Sequence, residues 1–206
     1  MNPFRSLFLI SIFSILLPGA SSSASAANVE RPSFETEEAP PENVVFSFLK
    51  NFSEAKAERR NRGQVSLGQW NRTGFQFPGS GPNTADIFTN PQTPVNGKNR
   101  EAIWMVIPPG QEVSLTFPNV PPGRRLRFFY ALPDYLFAMK APAFTQVEVW
   151  VGRKKVYESQ TNTKGWKEKV IGLTLPYLLQ REIQVTVRAR SLDPEPQILV
   201  FYGLVE

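Results

Sequence analysis

Downstream of Gly63 the chain alternates apolar and polar residues with a period of two. Val113, Leu115 and Phe117 are interleaved with Ser114 and Thr116, and Leu126, Phe128, Tyr130 and Leu132 share one face. Val147, Val149 and Val151 alternate with Glu148, Trp150 and Gly152, and Ile183, Val185, Val187 and Ala189 alternate with Gln184, Thr186, Arg188 and Arg190. Successive side chains of an extended strand point to opposite faces, so this pattern describes strands with one side on a core and one in water. Shorter segments at 64–67, 85–88, 102–107, 169–173 and 197–203 read the same way. Turn residues separate them, among them Pro78-Gly79-Ser80-Gly81-Pro82, Pro108-Pro109-Gly110 and Pro121-Pro122-Gly123. With no helical pattern between the strands, residues 63–206 are expected to form an all-β antiparallel sandwich of eight or nine strands.

Residues 43–62 depart from that period. Val45, Leu49, Phe52 and Lys56 fall at helical spacing, Gly63 fits a C-cap, and Arg59, Arg60 and Arg62 sit where a helix dipole favours cations. One amphipathic N-terminal helix is therefore expected. The alternative is a first strand over 44–49 followed by a helix over 53–62, because the VVFSF run is rich in β-formers.

Upstream, residues 1–27 read as a cleaved signal peptide. Arg5 supplies the positive n-region, 7–17 is an apolar run too short to cross a bilayer, and Ala24-Ser25-Ala26 fits a cleavage site. Residues 28–42 hold five glutamates against Arg31, with three prolines, and read as an acidic disordered leader. Subtracting Arg5, Arg31 and those glutamates from totals of 23 basic and 18 acidic residues leaves 21 and 13 from Asn43 onward, a net of +8. No later stretch is apolar enough to span a membrane.

The sequence has no Cys and no His. That excludes disulfides, thiol nucleophiles, zinc–thiolate sites, imidazole ligands and a Ser-His-Asp triad. No metal site, cofactor or catalytic residue is assigned. Export without cysteine fits a bacterial periplasmic or secreted protein better than a disulfide-stapled eukaryotic one. Export also argues against nucleic acid as a partner.

From Arg100 to the C-terminus the chain resembles the galactose-binding-like jelly-roll sandwiches found among carbohydrate-binding modules and discoidin-type domains. The resemblance rests on Ala102-Ile103-Trp104 ahead of Pro108-Pro109, and on Val113 to Phe117 with Gly123 leading into Leu126. It rests also on the strand, turn and return strand from Val147 to Tyr157, and on Gly165-Trp166 before the last strands. It implies a non-catalytic module that recognises a glycan or anionic envelope polysaccharide through loops at one end. The chain departs from the pattern in having no Asp- and Asn-rich calcium loop.

Sugars are held by aromatic rings on their C–H faces and by polar side chains on their hydroxyls. The loop cluster Trp70-Asn71-Arg72 and Trp166, flanked by Lys164 and Lys167, fit that need. Trp104 and Trp150 lie inside strands and read as packing residues. Basic turns containing Arg153 and Lys155 suit an anionic ligand, although solvated turns that keep sheet edges soluble would look the same. The candidate ligand-binding set is Trp70, Arg72, Arg153, Lys155 and Trp166. Two alternatives stand beside it. One is an envelope assembly protein that binds a protein partner through a strand edge or the apolar 130–144 connection. The other is a carboxylate hydrolase using residues such as Asp134.

Overall fold

A computed structural model describes residues 43–81, 84–139, 144–178, 180–192 and 194–206, all within one compact unit, Pro40–Glu206. The expected signal peptide and acidic leader lie outside the described residues.

The alternating segments form two antiparallel sheets. In the six-stranded sheet, β2 (Lys56–Asn61) pairs with β3 (Gln64–Leu67) on one side and β8 (Glu112–Val120) on the other. Beyond β8 come β13 (Ile183–Ser191), β10 (Thr145–Val151) and the edge strand β11 (Lys154–Thr161). The eight-stranded sheet runs from β12 (Lys167–Gly172) through β9 (Arg125–Ala131) and β14 (Gln197–Val205) to β7 (Lys98–Ile107). It continues through β6 (Ile87–Val95) and β5 (Gly74–Gln76) to β4 (Gln69–Trp70), and β1 (Phe46–Ser47) pairs with the end of β14. From β8 onward the chain passes from sheet to sheet at almost every connection, the winding of a jelly-roll sandwich.

The inner faces carry the apolar half of each alternation. Leu115, Phe117, Val149 and Val187 of one sheet face Ile103, Met105, Phe128 and Phe201 of the other, all essentially without solvent contact. Phe48 stacks on Phe117, with centroids 4.2 Å apart, and closes one end of the core. The fold class expected from the alternation is the fold observed. Fourteen strands are present among the described residues rather than eight or nine: β1, β4 and β5 have only two or three residues and show no period, β2 falls in the segment expected to be helical, and β11 is the return strand that follows β10, outside the nine alternating segments.

The expected N-terminal helix does not form. Only a single 3-10 turn, Phe52–Glu54, lies in 43–62, and 56–61 is strand β2. The strand of the alternative reading survives as β1, whereas its helix does not. Arg62 and Gly63 both take positive φ, 46° and 84°, so Gly63 closes a β2–β3 hairpin instead of capping a helix. Ala57 is buried under the sheet while Lys56 and Arg60 are exposed, a period of two disguised by a small inward residue.

The eight-stranded sheet is covered on its outer side as well. β7 pairs with β14 only over Ile103–Ile107, and its N-terminal half pairs with β6 alone. A bulge between Asn90 and Thr93 takes up Pro91, which cannot donate a ladder hydrogen bond. Val95, at the hairpin tip, packs with Ala102, Trp104, Ala131 and Val200 in a second apolar cluster. Helix α1 (Asp134–Met139), within the apolar 130–144 connection, lays Tyr135 flat on Trp104 at 5.9 Å. Asp134 accepts hydrogen bonds from the Asn96 and Gly97 amides, at 2.7 and 3.3 Å, and so fastens α1 to the hairpin tip.

Candidate functional site

Among the described residues the outer face of the six-stranded sheet has no such cover, and it carries a groove of about 380 Å³. Its floor follows from strand register. Lys155, Trp150, Thr186, Thr116 and Lys56 form one row across five strands, and Glu148, Arg188, Ser114 and Glu58 form the next. A bulge in the β10–β11 pairing, where Val149 pairs Tyr157 but Trp150 pairs Lys155, brings Lys155 beside the tryptophan. Gly152, at φ 58°, allows the two-residue turn that sets Arg153 on the rim.

Trp150 is half-buried and held in place. Its indole N–H donates to Glu148 Oε2 at 2.8 Å, and the Arg188 guanidinium lies 4.5 Å from the ring centroid. The Lys155 ammonium sits 3.2 Å from Glu148 and 2.5 Å from Glu158, and 6.0 Å from the Trp150 ring centre. The hydrogen bond from Lys155 lowers the Glu158 pKa, and those two carboxylates raise that of Lys155. A carboxyl held anionic in this way is a poor general acid. Arg60 shares Glu58 and Glu112, at 3.5 and 3.9 Å. The Thr116 and Thr186 hydroxyls are 3.0 Å apart. The arrangement is a fixed aromatic ring among hydroxyl, amide, carboxylate and guanidinium groups.

Several solved structures show a limited likeness to this chain. One, a carbohydrate-binding module of the β-sandwich superfamily, is 13% identical with a TM-score of 0.41, over 77% of this chain and 59% of that one. CBM51 from Clostridium perfringens GH95, solved with methyl-galactose, is 14% identical with a TM-score of 0.38, over 59% of this chain and 81% of that one. The K1 cleaved adhesin domain of Lys-gingipain from Porphyromonas gingivalis W83 is 13% identical with a TM-score of 0.40, over 72% and 89%. No protein-family model and no curated protein sequence matches the chain.

The five residues singled out from the sequence do not form one site. Arg153 and Lys155 flank the groove. Trp70 lies on edge strand β4 and packs edge-on against Phe52 and Phe75, at 5.4 and 5.1 Å. It lines a separate shallow depression with Gln69, Asn71 and Gln76. Arg72 occupies the β4–β5 turn at φ 76°. Trp166 meets Tyr202 edge-on at 5.5 Å and packs against the second apolar cluster. β11 runs from Lys154, paired with Val151, to Thr161, paired with Thr145, so the turn before it and the loop after it lie at opposite ends of the sheet. The charges of the Arg153 turn and the Lys164 loop therefore do not add. Asp134, whose two oxygens both serve the hairpin amides, is a fastening group.

Trp150, Arg188 and Thr186 also line the groove, and none belongs to the sequence-derived set because all three sit inside strands. The signal available was the solvent phase of the alternation, which already placed Trp150 in step with Glu148.

Proposed function

We propose that the chain is a glycan-binding module whose site is the groove around Trp150 on the outer face of the six-stranded sheet. The carrying observation is the Trp150 ring, half-exposed on a rigid strand and anchored by Glu148 and Arg188. A ring fixed before binding loses little freedom when a sugar packs on it, and the surrounding polar side chains suit hydroxyl recognition. Arg153 and Lys155 belong to this site, whereas Trp70, Arg72 and Trp166 lie away from it. The module works without chemistry of its own. Isothermal titration against a panel of oligosaccharides tests the reading. Trp150→Ala should weaken binding by about thirtyfold, near 2 kcal/mol, as loss of a central aromatic anchor does. Trp70→Ala and Trp166→Ala should leave it unchanged. Binding that survives Trp150→Ala removes the groove from the account.

The module acts outside the cytoplasm of a bacterium, after loss of residues 1–27. The support is the charged n-region, apolar run and small-residue boundary of that segment. N-terminal sequencing of the exported protein should begin near Asn28, and a mature chain that retains 1–27 would contradict export by cleavage.

A further inference from the structure

We infer that the groove, taken as the glycan site proposed above, selects an acidic saccharide, one carrying a carboxylate or sulfate that Arg153 and Arg188 would clamp. The argument is a pairing census of the charged groups on this face. Arg60 is shared between Glu58 and Glu112, and Lys155 is held by Glu148 and Glu158. Those two cations are already engaged, each shared between two carboxylates, so each of these four acids has a cation within 4 Å. Arg153 and Arg188 make no ion pair and no side-chain hydrogen bond among the described residues. The groove lining contains three arginines, Arg60, Arg153 and Arg188, against the single acid Glu58.

Arg188 is the more telling of the two. It is half-buried in the middle of the sheet, the oxygens of its cross-strand neighbour Glu148 are taken by Lys155 and the Trp150 N–H, and its own contact is the Trp150 ring. A planar guanidinium binds carboxylate or sulfate through paired N–H donors, a stronger and more directional contact than it makes with a neutral hydroxyl. A sugar ring against Trp150 with an anionic substituent toward Arg188 and Arg153 would use the ring and both free charges together. A neutral glycan would leave the half-buried Arg188 guanidinium without an anion to pair it.

The test is calorimetric titration of the full mature chain with three probes: an oligogalacturonate, a sulfated galactan and a neutral β-1,4-galactan. At least one acidic probe should bind about tenfold or more tightly than the neutral one at low salt, an advantage that shrinks as salt screens the charges. Whether the uronate or the sulfate probe binds identifies the anion. Arg153→Gln and Arg188→Gln should each lower acidic binding about tenfold more than they lower neutral binding. Lys164→Gln makes the same charge change at the opposite end and should have no effect. Equal binding of neutral and acidic probes overturns the acidic selectivity and leaves the glycan reading standing. An equal loss in Lys164→Gln and Arg153→Gln reduces the preference to net charge and overturns the clamp. Binding of no probe, neutral or acidic, overturns both.

Discussion

Among the four tryptophans, exposure and chemistry separate sharply. Trp104 is buried under α1 and its N–H donates to Thr93 Oγ1 at 2.6 Å. Trp166 serves the same outer cluster from its rim, and Trp70, although 43% exposed, braces the β4 edge against two phenylalanines. Trp150 is the one whose neighbours are polar on every side of its strand. A local reading favours loop tryptophans, since loops carry function more often than strands do. The outer face of a sheet is the exception, because there a strand residue is as accessible as a loop residue and better fixed. Trp150 touches little of the core, so Trp150→Ala should change the unfolding free energy by under about 1 kcal/mol while binding is lost. Denaturant titration beside the binding assay checks that separation, and a large fall in stability would recast Trp150 as a packing residue.

At the scale of elements, what decides is how each strand is finished. β2 reads as helical because its inward Ala57, like Ala55 just before the strand, is too small to announce a period, while Arg62 and Gly63 could serve a helix end or a hairpin equally well. The paired edge of β8 settles the choice, since β2 fills a place beside it in the ladder. The β6–β7 hairpin is finished at long range. Its Asn96-Gly97 turn, at φ 51° and 73°, is made by local chemistry, but its amides are satisfied by Asp134, 37 and 38 residues away. Asp134→Ala should cost about 1 kcal/mol, the usual net worth of such bonds near solvent, and lower Tm by about 2–4 °C for a chain of this size. Amide exchange at Asn96 and Gly97 should quicken in the same variant. Unchanged exchange would show that the carboxylate does not hold the turn.

At the scale of the molecule, the two sheets meet at a seam where Tyr130 of β9 and Tyr157 of β11 place their hydroxyls 2.7 Å apart. Burial, together with that hydrogen bond, pushes the Tyr130 pKa up to about 12 from 10.0. The neutral phenol is the form the fold favours, so its contribution is complete below pH 10. Above that the unfolded chain releases its proton first, and stability falls between pH 10 and 12. Stability measured by denaturant across that window should decline for the wild type and decline less for Tyr130→Phe. Equal declines would place the alkaline weakness elsewhere. The sequence by itself determined the sheet class, most strand positions, the absence of thiol and imidazole chemistry, and which side of the clearly alternating strands faces the core, because a period of two is a local property of the backbone. Only the tertiary structure decided which strands lie side by side, which outer face is covered by α1 and the hairpin tip, and which is left open. Trp150, Arg188 and Lys155 come from three different strands, and they became one groove through register, a bulge and sheet order, none of which is encoded in the residues nearest to them.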